Sequence, residues 1–230
     1  MTNSDFDSQF DILYNNISSN QAPGLNSYEK SIFLTKAQDD IILSLYNGNS
    51  GRSFEETEEL RRYLANIVLD AELTPLASNA TGLPKSLSSS SSFFELPQEE
   101  NKKVWFIIYE NAHTSDYKCG KETGKTLDVV PKRYDEYARL KNNPFRGIND
   151  NRVLRFDFSS DIVELVSKFT LDKYYIRYLR EPKPIILEDL YDNLTIKGKS
   201  TSSSCELHDG LHQTILERAV ALAIQSWNNK

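Results

Sequence analysis

The chain has 230 residues, of which 39% are hydrophobic and 26% charged, and its net charge is -6 at pH 7. This length fits one domain, or one domain with a long insertion. The acidic balance argues against a general nucleic-acid binder, because such proteins usually carry a basic patch.

Membrane and export signals are not visible in the sequence. No apolar run approaches the roughly 18 residues that a membrane helix needs. The first ten residues contain neither a basic region nor an apolar one, so no signal peptide is expected. The two cysteines, Cys119 and Cys205, are too few for a disulfide scaffold, which favours a reducing compartment.

The first predicted helix covers residues 1–20 and ends at a Pro-Gly turn within residues 20–25. Its apolar residues recur at helical spacing and share one face: Phe6, Phe10, Leu13, Tyr14 and Ile17. A second helix then opens with Asn26 and Glu29 at the spacing of a capping box. Its predicted stripe is Tyr28, Ile32, Ala37, Ile41 and Leu45.

A third helix is predicted after a second capping signature, formed by Ser53 and Glu56. Its expected stripe is Leu60, Leu64, Ile67, Val68 and Ala71, and Pro75 ends it. The stretch 74–92 then holds a run of serines without periodicity, which predicts an exposed loop or linker and an internal boundary.

From Phe93 the apolar pattern changes to that of strands. Strands are predicted at 93–96, 104–109, 126–130, 153–158, 162–166 and 174–179, with a short helix within 132–141. The segments 185–190 and 194–196 could pair as an edge hairpin. After a second serine-rich loop, Asp209 or the preceding serines can cap a final helix over residues 211–227. Its stripe is Leu211, Ile215, Ala219, Leu222, Ala223 and Trp227.

These elements predict an α+β fold with an N-terminal helical bundle, a central, mostly antiparallel β-sheet and a C-terminal amphipathic helix. We expect a single domain over residues 1–230. Its parts are a helical part (1–73), a serine-rich loop (74–92), a sheet part (93–199) and the final helical segment (200–230).

The stretch 173–184 combines a strand with a rigid exit. Pro182 and Pro184 lack backbone N–H groups and force extended geometry on the residues before them, which predicts a stiff arm. Arg177, Arg180 and Lys183 surround this exit. They are either solvated charges that protect an edge strand from aggregation or an ion-pairing surface for a partner subunit. The candidate partner-interface residues are Arg177, Arg180, Pro182, Lys183, Pro184, Tyr28 and Trp227.

Residues 120–126 look like a phosphate-binding loop, with Lys125 and Thr126 as its last members. The motif needs four residues between its first glycine and the Gly-Lys-Thr, followed by a helix, whereas here three residues intervene and a strand follows. A hairpin is therefore the favoured interpretation, and a nucleotide-dependent enzyme the alternative.

Cys205, His208 and His212 lie close in sequence and with Cys119 could supply four zinc ligands. Zinc sites usually show a second paired half, which is missing around Cys119, so capping or surface roles are favoured. No acid–base or nucleophilic constellation is recognisable. We therefore expect no catalytic residue, no cofactor and no metal.

Several stretches resemble the ring-forming head-to-tail connector proteins of tailed bacteriophages, and crAss-like phages in particular. In the second half, they are residues 175–184, Glu206–Leu207–His208, Leu211–His212 and 216–220. In the first half and middle, they are residues 20–31, 34–38, 143–147 and 153–155.

The resemblance implies a non-enzymatic virion protein that forms a ring, generally dodecameric, beneath the portal. Such a ring would link the portal to the tail, contact other connector proteins and line the channel for the genome without reading its sequence. The protein would be made in the bacterial host and reside in the neck or tail connector. A host-directed binding module is a further alternative. Under the connector interpretation, deleting residues 174–190 should abolish docking but leave the subunit folded.

Overall fold

The computed structural model describes residues 1–17, 24–47, 58–77, 83, 85–119, 122–191 and 193–228. The chain forms two compact units. The helical unit comprises Met1–Ile67 and Pro182–Lys230, and the sheet unit comprises Val68–Glu181. The divisions therefore fall at Ile67/Val68 and Glu181/Pro182 rather than in the serine-rich stretch. That the chain acts as one connector domain stays a prediction.

The helical unit contains α1 (Asn3–Ile17), α2 (Ser27–Asn47), α3 (Glu58–Leu64) and α5 (His212–Asn228). Short 3₁₀ turns follow α3 at Ala65–Ile67 and precede α5 at Asp209–Leu211. Helix α5 packs against α1 and α2. The buried apolar residues include Phe6, Phe10, Leu34, Ile42, Ile215 and Leu216.

The predicted start of α2 is confirmed in atomic detail. The Asn26 side chain accepts a hydrogen bond from the Glu29 N–H at 2.8 Å, and the Glu29 carboxylate accepts one from the Asn26 N–H at 3.0 Å. The reciprocal pair satisfies two backbone donors that a helix start leaves free. The equivalent pair predicted for α3, Ser53 with Glu56, lies outside the described residues.

The predicted apolar stripe of α2 is wrong for most of its length. Ala37 is buried, but Ile32 is 39% exposed, and Tyr28, Ile41 and Leu45 are only half-buried. The buried face is instead largely polar: Lys30, Ser31, Leu34, Thr35, Ala37, Gln38 and Ile42. These polar side chains have long-range partners, which hydrophobic spacing alone does not reveal.

The sheet unit contains one seven-stranded sheet. Its strands are β1 (Val68–Leu73), β2 (Ser91–Glu95), β3 (Val104–Cys119), β4 (Glu122–Pro131), β5 (Arg152–Asp157), β6 (Ile162–Val166) and β7 (Lys173–Arg180). Their order is β1-β7-β3-β4-β5-β6-β2, and every neighbouring pair is antiparallel except β4–β5. The predicted α+β class and mostly antiparallel sheet are confirmed.

The sheet curls around its apolar face. The rings of Phe94 on β2 and Tyr174 on β7 lie 5.3 Å apart, although four strands, β3, β4, β5 and β6, separate β2 from β7 in the strand order. The chain after β1 bonds to β2 through the Leu76 N–H and the Phe93 carbonyl at 2.8 Å. A 3₁₀ turn (Tyr134–Glu136) and α4 (Tyr137–Leu140) pack a second small cluster against β5 and β6.

Three sequence predictions need correction. Residues 68–73 form β1 rather than the end of the third helix, because Leu69, Ala71 and Leu73 alternate with Asp70 and Glu72 and pair with β7. Segments 185–190 and 194–196 make only isolated bridges. Within the serine run, residues 91 and 92 already belong to β2.

Strand β7 is not an edge strand, because it pairs with β1 on one side and β3 on the other. The expectation that a chain lacking residues 174–190 stays folded is therefore wrong. The deletion would remove both ladders together with buried Tyr174, Tyr178 and Ile185. Among the described residues, no helix is both long enough and apolar enough to span a bilayer.

Gly147 provides a test of loop packing in the sheet unit. A Cβ at this position would lie 2.2 Å from the Leu140 carbonyl oxygen and 2.5 Å from that of Asn143, whereas a Cβ at Gly24 would meet nothing within 4 Å. We expect Gly147→Ala to lower the free energy of unfolding by about 1–3 kcal/mol, because backbone must move. Gly24→Ala, the control, should change it little. Denaturant unfolding measures both, and equal stability of the two variants would contradict this packing.

Candidate functional site

The Pro-x-Pro arm, residues 182–187, is buried in the helical unit of its own chain. Pro182, Pro184 and residues 185–187 are all buried. Because the prolines have no N–H group, only Lys183 and residues 185–187 bring backbone donors into this environment. The arm is therefore not free in this structure to reach another ring.

Side chains of α2 satisfy one side of the arm. The Thr35 hydroxyl accepts from the Ile185 N–H at 3.1 Å and donates to the Ile185 carbonyl at 3.2 Å. The Ser31 hydroxyl accepts from the Leu187 N–H at 3.0 Å, and the Gln38 amide donates to the Lys183 carbonyl at 2.8 Å. Side chains of α2 thus provide the hydrogen-bond partners that a neighbouring strand would provide in a sheet. This role explains the polar residues on the buried face of the helix.

The opposite side of the arm is satisfied by the segment before α5. Ile186 and Ser203 exchange two backbone hydrogen bonds of 3.0 Å. The Glu206 carboxylate accepts from the Lys183 N–H at 3.2 Å and forms an ion pair with the Lys183 ammonium at 3.0 Å. Lys183, a predicted interface residue, is therefore already paired within its own chain.

The other predicted interface residues fall into two groups. Arg180 is 9% exposed and, like the two prolines, buried in the isolated chain. Arg177 is exposed, and Tyr28 and Trp227 are half-buried. The sequence therefore predicted a surface around residues 177–184, but the structure exposes only its first member fully.

Arg177 lies in a groove on the face of the sheet opposite the apolar core. The groove has a volume of about 670 Å³ and crosses β1, β7, β3 and β4. Tyr109, 56% exposed, and the half-buried Tyr175 form its aromatic part. Nearby, Lys173 forms an ion pair with Glu72 at 2.6 Å, and Nδ1 of His113 lies within hydrogen-bond distance, 2.8 Å, of the Asp172 carboxylate. Aromatic and arginine side chains of this kind are frequent at protein interfaces.

A buried polar cluster crosses the inner face of the same sheet. The Arg155 guanidinium lies 2.8 Å from the Glu110 carboxylate, which also accepts from the Tyr174 hydroxyl at 2.5 Å. Burial raises the pKa of the Glu110 carboxyl, while Arg155 and Tyr174 favour its charged form. Because the three groups satisfy one another by hydrogen bonds and an ion pair, we interpret them as a structural network.

The described residues do not support a zinc site formed by Cys205, His208 and His212. His212 is 3% exposed and bonds through Nε2 to the Leu207 carbonyl at 3.1 Å. His208 caps the turn before α5 by accepting from the Gly210 N–H, a role that the sequence had suggested for Asp209 or the serines. Burial raises the pKa of the Cys205 thiol to about 11. Within the described ranges, no three such residues are placed to hold a metal ion.

The paired strands that flank residues 120 and 121 agree with the favoured hairpin interpretation and not with a phosphate-binding loop. Cys119 and Glu122 pair as neighbouring residues of β3 and β4, so the stretch forms a hairpin between two strands and opens no helix. Gly120 and Lys121 lie outside the described residues. Lys125 bonds to the Asn151 side chain.

Comparison with known proteins places the whole chain in one group. The model of the family described as phage tail ring protein 3/4 matches residues 1–230. The chain is similar to "Ring protein 3" of Bacteroides phage crAss001, with 47% identity over 98% of this chain and 96% of that protein. It is also similar to "Ring protein 4/5" of the same phage, with 33% identity over 97% and 92% of the two chains.

Removing the hydroxyl of Thr35 tests the attachment of the arm. In a Thr35→Val variant, the buried N–H and carbonyl of Ile185 lose a partner that the isosteric side chain cannot replace. We expect the free energy of unfolding to fall by about 1–3 kcal/mol. Thr214→Val, at an exposed position of α5, is the matched control and should stay within about 0.5 kcal/mol of the parent. Similar losses in both variants would argue against the attachment.

The buried ion pair yields a second test. Glu110→Gln removes the buried counter-ion of the Arg155 guanidinium, which is 11% exposed, and leaves it only the largely exposed Asp157 carboxylate at 2.9 Å. We expect a loss of about 3 kcal/mol or more, and a partial recovery in the double variant Glu110→Leu/Arg155→Met. Glu72→Gln is the control, because the Glu72–Lys173 pair is over 40% exposed on both sides and should cost less than about 1 kcal/mol. A double variant with a lower free energy of unfolding than Glu110→Gln would contradict this interpretation of the ion pair.

Proposed function

The chain belongs to the phage tail ring protein 3/4 family, and we propose that copies of it close a dodecameric ring in the head-to-tail connector. In this proposal the ring lies between portal and tail, contacts the portal and other connector or tail proteins, and surrounds the channel through which the genome leaves. The family places the protein among the structural components of the virion, and the similar proteins are named for rings. The full-length match to the family is the observation that carries the proposal.

The physical properties of the chain support this assembly role. A closed ring of identical subunits needs two different, complementary faces on each subunit. A net charge of -6 would also reduce binding of a polyanion, so that DNA could pass through the ring without being held. These features call for contact surfaces and no bond-breaking chemistry, which agrees with a non-enzymatic protein.

Three of the predicted interface residues remain part of the proposal. Arg177 in the sheet unit, and Tyr28 and Trp227 in the helical unit, present accessible surface to a partner. Arg180, Pro182 and Pro184 would contact a partner only after local rearrangement, because they are buried in the isolated chain. Lys183 would first have to leave Glu206.

Quantitative mass spectrometry of purified phage particles tests the proposal. We expect the chain in intact particles in the same copy number as the portal protein, or in a simple multiple of it, because stacked rings share an axis. The capsid protein, which should exceed it many-fold, provides the internal scale. Absence of the chain from washed, infectious particles, or a copy number unrelated to that of the portal, would refute the proposal.

A further inference from the structure

Phe145 is the most exposed large hydrophobic residue among those that the structure describes, with 86% of its surface accessible. Its loop, residues 142–147, is nevertheless firmly held. The Asn143 side chain accepts from the N–H groups of Phe145 and Arg146 at 2.9 and 3.0 Å. The Arg152 guanidinium donates to the Phe145 carbonyl at 2.6 Å. We call this loop the Phe145 knob.

A rigid, exposed aromatic ring has the properties of a docking anchor. Large aromatic side chains dominate the energetics of many interfaces, particularly where they insert into a pocket. Because the hydrogen bonds of Asn143 and the close fit of Gly147 already fix the loop, docking would lose little conformational entropy. The structure thus maintains an apolar group in water at a well-defined position.

The surroundings of the Phe145 knob are basic. Arg139, Lys141 and Arg146 are all exposed. None of the three forms an ion pair with another residue in the described part of the chain, whereas nearby Arg133 is paired with Asp135 and Lys168 with Asp150. Three exposed cationic side chains therefore lie within six residues of Phe145 in the sequence.

A pocket elsewhere on the sheet unit has the opposite character. It has a volume of about 710 Å³ and lies between β1 and the segment that follows β2, where the two ends of the curled sheet approach each other. We call it the seam pocket. Its walls include Leu69, Ala71, Leu73, Leu96 and Pro97.

The rim of the seam pocket is acidic. It carries four carboxylates, those of Asp70, Glu72, Glu95 and Glu99, against the single cation of Lys102. Glu72 and Glu99 have partners in Lys173 and Lys102. Asp70 and Glu95 are exposed and form no ion pair within the described residues.

We infer that the Phe145 knob of one copy docks in the seam pocket of the next copy. The apolar walls would receive the ring, and Asp70 and Glu95 would face the cations beside the knob. The inference rests on the proposed ring, and it names the contact through which neighbouring subunits meet. Knob and pocket lie at different places in the sheet unit, one before β5 and the other between β1 and β2, so the contact is head-to-tail and can repeat around a ring.

Two variants each disable one half of this contact. Phe145→Ala removes the anchor, and Asp70→Lys/Glu95→Lys reverses the charge of the pocket rim. Phe158→Ala is the matched control, because Phe158 is a partly exposed phenylalanine (44%) in another loop of the same unit. We expect each interface variant to raise the protein concentration needed for half-assembly about tenfold or more, while the control and the circular dichroism spectra stay unchanged.

Mixing the two interface variants makes the test specific. The charge-reversed variant retains an intact knob and the Phe145→Ala variant an intact pocket, so an equimolar mixture has one functional pairing and should stop at heterodimers. Native mass spectrometry with one variant labelled with ¹⁵N distinguishes these from rings. Full-sized mixed rings, or assembly of either variant at the parental concentration, would overturn the inference.

Carbodiimide cross-linking of purified particles extends the test to a protein that assembles only on the virion. This reagent joins an amine directly to a carboxylate in contact, so we expect linked peptides containing Lys141 with Asp70 or Glu95. Comparison of the denaturing-gel bands at one and at two chain masses shows which links join two copies, because a link within one chain also occurs in the single-mass band. If the links between copies join other residues and none joins Lys141 to Asp70 or Glu95, the proposed contact is refuted, whereas the proposed ring is not. Absence of the chain from the particles would refute the proposed function itself.

Discussion

The buried polar face of α2 fixes the chain where β7 has ended and the C-terminal segment begins. An extended segment that enters an apolar environment must find partners for its backbone groups. Ser31, Thr35 and Gln38 provide them from one side, and Ser203 from the other. The helical unit is thereby completed from two distant parts of the sequence, with the sheet unit inserted between them.

This arrangement explains why local sequence patterns predicted the helices and strands better than the way in which they pair and pack. The capping pair of Asn26 and Glu29, the apolar face of Phe6, Phe10 and Tyr14, and six of the seven strands carry signals within a few residues, and the structure confirms them. The remaining strand, β1, directly follows a helical segment. Its short alternation of apolar and polar residues therefore resembles a continuation of the apolar face of that helix.

The surfaces that we propose for assembly could not be predicted in the same way. The sequence pointed to the charged residues around the Pro-x-Pro arm, yet the order of the sheet places β7 between two neighbours and the arm is buried. Conversely, in the sequence Phe145 is notable only as part of the stretch 143–147 that carries the family resemblance. Its exposure depends on the hydrogen bonds of Asn143, and the seam pocket depends on the curl of the whole sheet.

In the proposed function, the protein acts through its shape and surface charge. Its buried ion pair and hydrogen-bonded arm stabilise the subunit, and in the proposed contact its sheet unit would offer an aromatic basic knob and an apolar acidic pocket to copies of itself. A cryo-EM reconstruction of the tail of purified particles, computed without imposed symmetry, tests this most directly. We predict a closed ring of twelve copies around the genome channel, a number that comes from the connector resemblance. A chain found as isolated copies off the axis, or missing from the tail, would contradict the account.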